Sequence, residues 1–172
     1  MFDNAIGIIR SSHHNMPSIV HAVSSENVSL IEEILADPSS PNINATVDGK
    51  KQKQYTVLHV AAKLTTPAGF NIVKLLLQSG ADVAAKDKRG FTPLDWCFER
   101  MMEYPDSTSA EELRVLRGIF VELVENKADI NSKDAEGKTI LERARTCKWK
   151  HQDKGFGAAD HTMAFLERNG AK

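Results

Sequence analysis

The sequence predicts an all-α solenoid, in which helix pairs stack on one another and are joined by hairpin fingers. Two observations predict it. A helix-opening motif recurs, as Phe91-Thr92-Pro93-Leu94 and in worn copies at Tyr55-Thr56-Val57-Leu58-His59 and Lys138-Thr139-Ile140-Leu141. Each copy is followed by a second, more apolar helical pattern that closes near Gly80, Lys127 or Gly170. A unit repeated in this way cannot bury its apolar face alone; it stacks on its neighbours and leaves an open, elongated surface instead of an enclosed pocket. Such a surface suits gripping another macromolecule and argues against an enzyme.

Taken in order, residues 1–16 carry no finger signature and read as an N-terminal capping segment, with Ile6, Ile8 and Ile9 expected to shield the first helix pair. Residues 17–47 form the first unit, where Val28, Leu30, Ile31, Ile34 and Leu35 have helical spacing. Residues 48–86 form the second. Its first helix opens at Thr56, and His59 in the third helical place reads as a structural hydrogen-bonder. Ile72, Val73, Leu75, Leu76 and Leu77 make its second helix, and Gly80 is a left-handed stop.

Residues 87–133 form the third unit. Asp87-Lys88-Arg89-Gly90 supplies a turn, Thr92 caps the helix, and Pro93 suits its first position because the lost N–H had no partner there. Trp96 and Phe98 are expected to fill space between stacked units, with Cys97 between them as a core thiol. Ile119, Phe120, Leu123 and Val124 make the second helix, with Asn126 as a candidate stop. Residues 134–172 form the fourth unit, where Thr139 and Glu142 have capping-box spacing and Met163, Phe165 and Leu166 precede Gly170. Arg143 and Arg145 stand where Val60 and Ala62 stand in the second unit and Trp96 and Phe98 in the third. Burying two guanidinium groups between units is costly, so this last unit reads as a polar cap.

Composition narrows the function. The 172 residues carry a net charge of −1, which gives no overall pull toward nucleic acid or membrane. No apolar run approaches the roughly 20 residues that span a bilayer. Met1 to Arg10 contains Asp3 and no basic start, a poor secretory signal. Cys97 and Cys147 inside helical patterns read as reduced thiols of a cytoplasmic protein.

The segments Phe91-Thr92-Pro93-Leu94, Thr56-Val57-Leu58-His59-Val60-Ala61-Ala62 and Ile72 through Asp82 resemble the helix-start and helix-end signatures of the ankyrin repeat family. The resemblance covers about Pro17 to Lys172 as four units. It implies L-shaped repeats whose fingers and first helices line a concave face that binds proteins. Against the family period of ~33 residues, the spacing from Asp48 to Asp87 has about six residues extra and that from Asp87 to Asp134 about fourteen extra. The larger inserts, Arg100 to Ala110 and Lys148 to Ala159, are expected between paired helices, as loops that cover helix ends.

No phosphate loop, nucleophile elbow or paired metal motif is present, and no cofactor is expected. Cys147 and His151, one helical turn apart, could join Asp153, Asp160 or His161 around zinc, but no second paired motif supports this. His13-His14 reads as a solvated turn, and Trp149 as an aromatic folded onto the last helix. The long finger is richer in suggestion. Lys50, Lys51 and Lys53 alternate with Gln52 and Gln54 up to Tyr55, and nearby turns add Lys86, Lys88, Arg89 and Lys133.

A basic rim with aromatic anchors at Tyr55 and Phe91 suggests an acidic protein segment as partner. The expected partner-binding set is Lys51, Lys53, Tyr55, Lys63, Lys86, Lys88, Arg89, Phe91, Glu99, Arg100, Lys133, Glu136 and Lys138. These positions are those where the family's variable, exposed residues fall. The expected role is a monomeric adaptor, scaffold or inhibitor, with no nucleic acid and no membrane. An alternative setting is an effector that a host-associated microbe delivers into a host cell. The resemblance also marks Asn44 and Asn131 as positions where family members are hydroxylated.

Overall fold

The computed structural model describes residues 19–37, 39, 42–48, 54–103, 109–146 and 164–172. In chain order the elements are α1 (Ile19–Ser24), α2 (Val28–Ala36), β1 (Val47–Asp48), β2 (Gln54–Tyr55), α3 (Val57–Ala61), α4 (Pro67–Gln78), α5 (Pro93–Glu103), α6 (Ala110–Glu125) and α7 (Ile140–Thr146). Residues 164–168 add a final helical stretch. The helices form two rows. First helices α1, α3 and α5 pack side by side, and second helices α4 and α6 pack behind them. This is the expected all-α solenoid. Its strands are two residues each, an antiparallel pair with Val47 opposite Tyr55 at the base of the long finger.

Helix starts follow the local chemistry. Thr92 N–H donates to Asp95 Oδ2 at 2.7 Å while Asp95 N–H donates back to Thr92 Oγ1 at 3.3 Å. Thr139 and Glu142 make the same reciprocal pair at 2.7 and 3.3 Å. Ser109 and Glu112 do so at the start of α6. Each pair satisfies two backbone donors that the helix itself leaves open.

Helix stops share a single geometry. Asn27, Ala81, Ala128 and Ala171 each donate a backbone N–H to the carbonyl five residues back. The residue before each is left-handed: Glu26, Gly80, Lys127 and Gly170. In the third unit the left-handed residue is therefore Lys127 (φ 73°), not Asn126, which keeps a φ of −85°. Asn126 acts one place earlier, its side-chain amide donating to the Glu122 carbonyl at 2.8 Å.

The core is a continuous strip. Leu58, Ile72, Leu76, Leu94, Leu116, Ile119, Phe120 and Leu123 are fully buried between the rows. Cys97 is buried among them, its thiol against the Leu116 carbonyl at 3.3 Å, and burial pushes its pKa far upward, so the sulfur packs as an inert group. The insert after Arg100 is not a loop from its first residue. Helix α5 runs on through Glu103, adding a turn to the first helix, and α6 resumes at Ala110.

The links between units are laced by asparagine. Asn44 accepts from Asp82 N–H at 2.7 Å and donates to the Gly80 carbonyl at 3.1 Å. Asn131 repeats this two units along, accepting from Lys172 N–H at 2.8 Å and donating to the Gly170 carbonyl at 3.1 Å. At the matching place in the middle link stands Ala84, and there Lys86 Nζ reaches the Lys133 carbonyl at 2.8 Å instead.

Candidate partner-binding face

The face formed by the fingers and first helices is organised by three aspartates. Asp87 Oδ1 accepts the N–H groups of Arg89 and Phe91 at 2.8 and 2.9 Å, which folds the third finger. Asp134 Oδ1 does the same in the fourth finger for Glu136 and Lys138, both at 2.9 Å. Asp95 closes the cap of α5. The outer oxygens of these carboxylates then recruit the face. Asp87 Oδ2 accepts from the indole Nε1 of Trp96 at 3.0 Å and from Arg89 Nε at 3.2 Å. Asp134 Oδ2 accepts from Arg143 Nη1 at 3.0 Å, and Asp95 Oδ1 accepts from Arg143 Nη2.

Trp96 and Arg143 therefore hold equivalent places in successive units. Each rises from a first helix, bonds the turn aspartate of its own unit, and lies against the finger-base aromatic of the unit before. Trp96 meets Tyr55 with ring centroids 5.3 Å apart, and Arg143 stacks on Phe91 at 4.3 Å. Arg89 covers Phe91 as well, at 4.1 Å. Phe91 is thus held between two guanidinium groups and half-buried, so it works as an inter-unit spacer more than as a projecting anchor.

Trp96 extends one expectation. It fills space between the second and third units, against Tyr55 and against His59 at 5.3 Å, yet it is only partly buried and shares this face with Lys63 at 5.7 Å. Phe98 does fill the core.

Arg143 corrects a second. It does not point outward as part of a polar end cap. Its side chain is 16% exposed and grips Asp95 and Asp134, at 2% and 3%, between the third and fourth units. Arg145 is the exposed one, near Glu167 at 3.8 Å. The penalty for burying a guanidinium is offset here because both carboxylates receive a hydrogen bond from it.

The basic rim is largely compensated. Arg89 makes a two-bond pair with Glu99, at 2.6 and 3.1 Å. Lys138 pairs with Glu136 at 2.8 Å. Lys86 is tied to the neighbouring link, and Lys133 and Lys88 are exposed. Arg100 lies half-buried in the last turns of α5. Lys50, Lys51 and Lys53 fall outside the described residues. So do Trp149, His13-His14 and the candidate metal set Cys147, His151, Asp153, Asp160 and His161. Among the described residues no group of three or more His, Cys, Asp or Glu is placed to hold a metal ion. A groove of about 460 Å³ opens between the third and fourth fingers, with Phe91, Ala135 and Thr146 among its lining.

His59 links two units and fixes its own proton. Nδ1 faces the Thr56 N–H at 3.1 Å, so it must accept, and Nε2 faces the Phe91 carbonyl at 3.0 Å, so it must donate. Burial pushes its pKa below the ordinary histidine value. The Phe91 carbonyl and the charges of Asp87 and Asp95 pull the other way, and the net shift is downward. A histidine kept neutral in the fold stabilises it fully above its unfolded pKa of about 6.5, and that contribution is lost as pH falls through the folded value. Urea midpoints are expected to drop between about pH 7.5 and pH 5.5 in the native protein, and less steeply in His59→Gln. Equal slopes would remove His59 as the cause.

The sequence pattern places Trp96 and Arg143 in one register, but their contrasting chemistry concealed that they play one role. Asp87, Asp95 and Asp134 read only as turn or cap residues, and their second oxygens are visible only in the fold.

A family model described as ankyrin repeats, in three copies, matches residues 18–106, just over half of the chain. No curated protein matches the sequence.

Proposed function

The chain belongs to the ankyrin repeat family, whose repeats are in general protein–protein interaction modules and are typically non-enzymatic, and we propose that it captures a partner protein on the face of its fingers and first helices. The observation that carries this reading is the preorganisation of that face. Finger turns, aromatic stacks and the Arg143 clasp fix its side chains before any partner arrives, so little ordering entropy is lost on binding. A specific contact of about 800 Å² per side would need roughly three adjacent units. No helix among the described residues is long and apolar enough to cross a membrane. Its partner-facing positions on this reading are Tyr55, Lys63, Lys88, Trp96 and Lys138.

The test reverses Lys63, Lys88 and Lys138 to Glu together. Arg89 is left intact, because it also ties Asp87 and Phe91 into the finger. Affinity capture from a cell lysate is expected to lose its salt-sensitive partner while the melting temperature stays within a few degrees, since Lys88 and Lys138 are exposed and Lys63 is only partly buried. Capture that survives the triple reversal would move the docking site off this face.

A further inference from the structure

We propose that His59 is an acid-sensitive latch for the second finger: a proton on its Nδ1 frees the Thr56 N–H, and with it Tyr55, while the bond to the third unit stays closed. The consequence for docking rests on the reading of the finger face as the docking face, since Tyr55 and Trp96 belong to it.

Three first helices are capped alike. The N–H of the capping threonine donates to the side chain three residues on: Thr56 to His59 Nδ1 at 3.1 Å, Thr92 to Asp95 Oδ2 at 2.7 Å and Thr139 to Glu142 Oε2 at 2.7 Å. A carboxylate keeps accepting through mild acid, whereas an imidazole nitrogen accepts only while it carries no proton. Of these three caps, the one in the second unit is therefore the one that mild acid can open.

Thr56 and His59 are both buried. The Thr56 hydroxyl, 2.9 Å from Nδ1, can turn and accept the new proton, but the backbone N–H facing it cannot. A buried N–H without a partner is costly, and this one finds water only if the chain lifts from the start of α3. Tyr55 is the next residue back, and its ring lies on Trp96 at 5.3 Å, so lifting uncovers Trp96 and reshapes the face. Nε2 donates to the Phe91 carbonyl at 3.0 Å in either state, so the second and third units stay joined.

The charges acting on the imidazole come from the third unit. Asp87 and Asp95 favour the proton, Arg89 opposes it, and burial outweighs the two acids. Helix α3 carries no other titratable residue. Helices α1 and α4 also pack on it, and their titratable residues, His21 and Lys74, are exposed. The latch is thus closed at neutral pH and opens below the ordinary histidine value.

The experiment titrates the full chain between about pH 7.5 and pH 4.5 by NMR, above the range where ordinary carboxylates dominate. The Tyr55 and Thr56 amides and the Trp96 indole N–H are expected to shift along the His59 Cε1–H curve, with exchange at Thr56 rising about tenfold beyond its intrinsic change. The Thr92 and Thr139 amides and the His59 Nε2–H signal are expected to hold. In His59→Gln, which keeps an uncharged acceptor in the cap, the first set should stay still; the native titration decides alone if that variant does not fold. A ring that stays neutral to the end of the titration would overturn the proposal. So would a protonated ring with exchange at Thr56 unchanged, the same movement in His59→Gln, or loss of the Nε2–H signal ahead of the Thr56 amide. The triple lysine reversal is read near pH 7.5, where the latch is closed, so a failure of the docking face shows there and a failure of the latch shows here.

Discussion

Arg143→Ala is expected to cost about 3 kcal/mol and to release the fourth unit first, because it leaves two buried carboxylates without their shared cation. Asp95 and Asp134 are almost fully buried, and water cannot easily replace the guanidinium at both. In a solenoid, stability is close to a sum of neighbour interfaces, so the loss should be local. Amides of α7 are expected to exchange faster, while those of α3 and α4 keep their protection. Arg143→Lys should recover little, since an ammonium cannot fork between two acids and lie flat on Phe91 at once.

Asp134 supplies a pH signature for the same clasp. Burial raises its pKa, but the N–H groups of Lys138 and Glu136 and the charge and hydrogen bond of Arg143 outweigh that, and the net shift is downward. A carboxylate depressed in the fold adds stability above its unfolded pKa of about 3.9, and loses it as pH falls through the folded value. Without Arg143 the depression shrinks, so the stability that Asp134 loses in acid should be smaller and its loss complete at higher pH. Uniform exchange across all helices, or an acid limb that does not move, would count against the clasp.

Gly90→Ala should be as damaging as the loss of Arg143, and Gly137→Ala much milder, although both glycines hold the same turn position. Both are left-handed, with φ of +75° and +78°. A Cβ at Gly90 would lie 2.6 Å from the Ala135 nitrogen and 2.9 Å from the Asp134 carbonyl carbon, whereas one at Gly137 meets nothing within 4 Å. The obstacle at Gly90 is the backbone of the next finger, and the two fingers are joined there by Ala135 N–H to the Arg89 carbonyl at 2.8 Å. Left-handed strain alone is worth about 1 kcal/mol. Forcing the fingers apart and losing their hydrogen bond should add roughly 1–2 kcal/mol at Gly90 only. Chemical denaturation of the two variants measures the difference, which is the contribution of finger stacking. Equal losses would mean that these fingers do not support one another.

Much of this architecture was legible in the sequence. Thr92-Pro93 and Thr139 with Glu142 announced helix starts because capping is a local reaction between residues three apart. Gly80 and Gly170 announced stops for a similar reason. The stop near Lys127 was also legible, but not that Lys127 itself is left-handed, since no lysine advertises that backbone; it comes with the Ala128 to Leu123 bond. The length of α5 was missed because Arg100 to Glu103 lie beyond the family's spacing yet continue the helix.

The candidate face was less legible. Charge counting along the fingers found Arg89, Lys138 and Glu99 but not their pairing, which depends on how neighbouring fingers and helices are placed. It assigned Arg143 to an outer surface because the price of burying it was weighed without the carboxylates of the adjoining unit. It missed Trp96 as part of the face because aromatic residues on apolar helices usually pack inward, and here the Asp87 carboxylate draws the indole out.

The alternation of asparagine, lysine and asparagine along the links has a mechanical meaning. Where Asn44 and Asn131 stitch two backbones together with paired bonds, neighbouring blocks move as one. At the central joint the tether across the links, among the described residues, is a solvated ammonium on a long flexible stem, while the finger side is joined by the His59 bond to the Phe91 carbonyl and by the Trp96 ring against Tyr55. The links are therefore least constrained at that joint, and what keeps its two sides at a fixed angle is the packing of α3 on α5 and of α4 on α6.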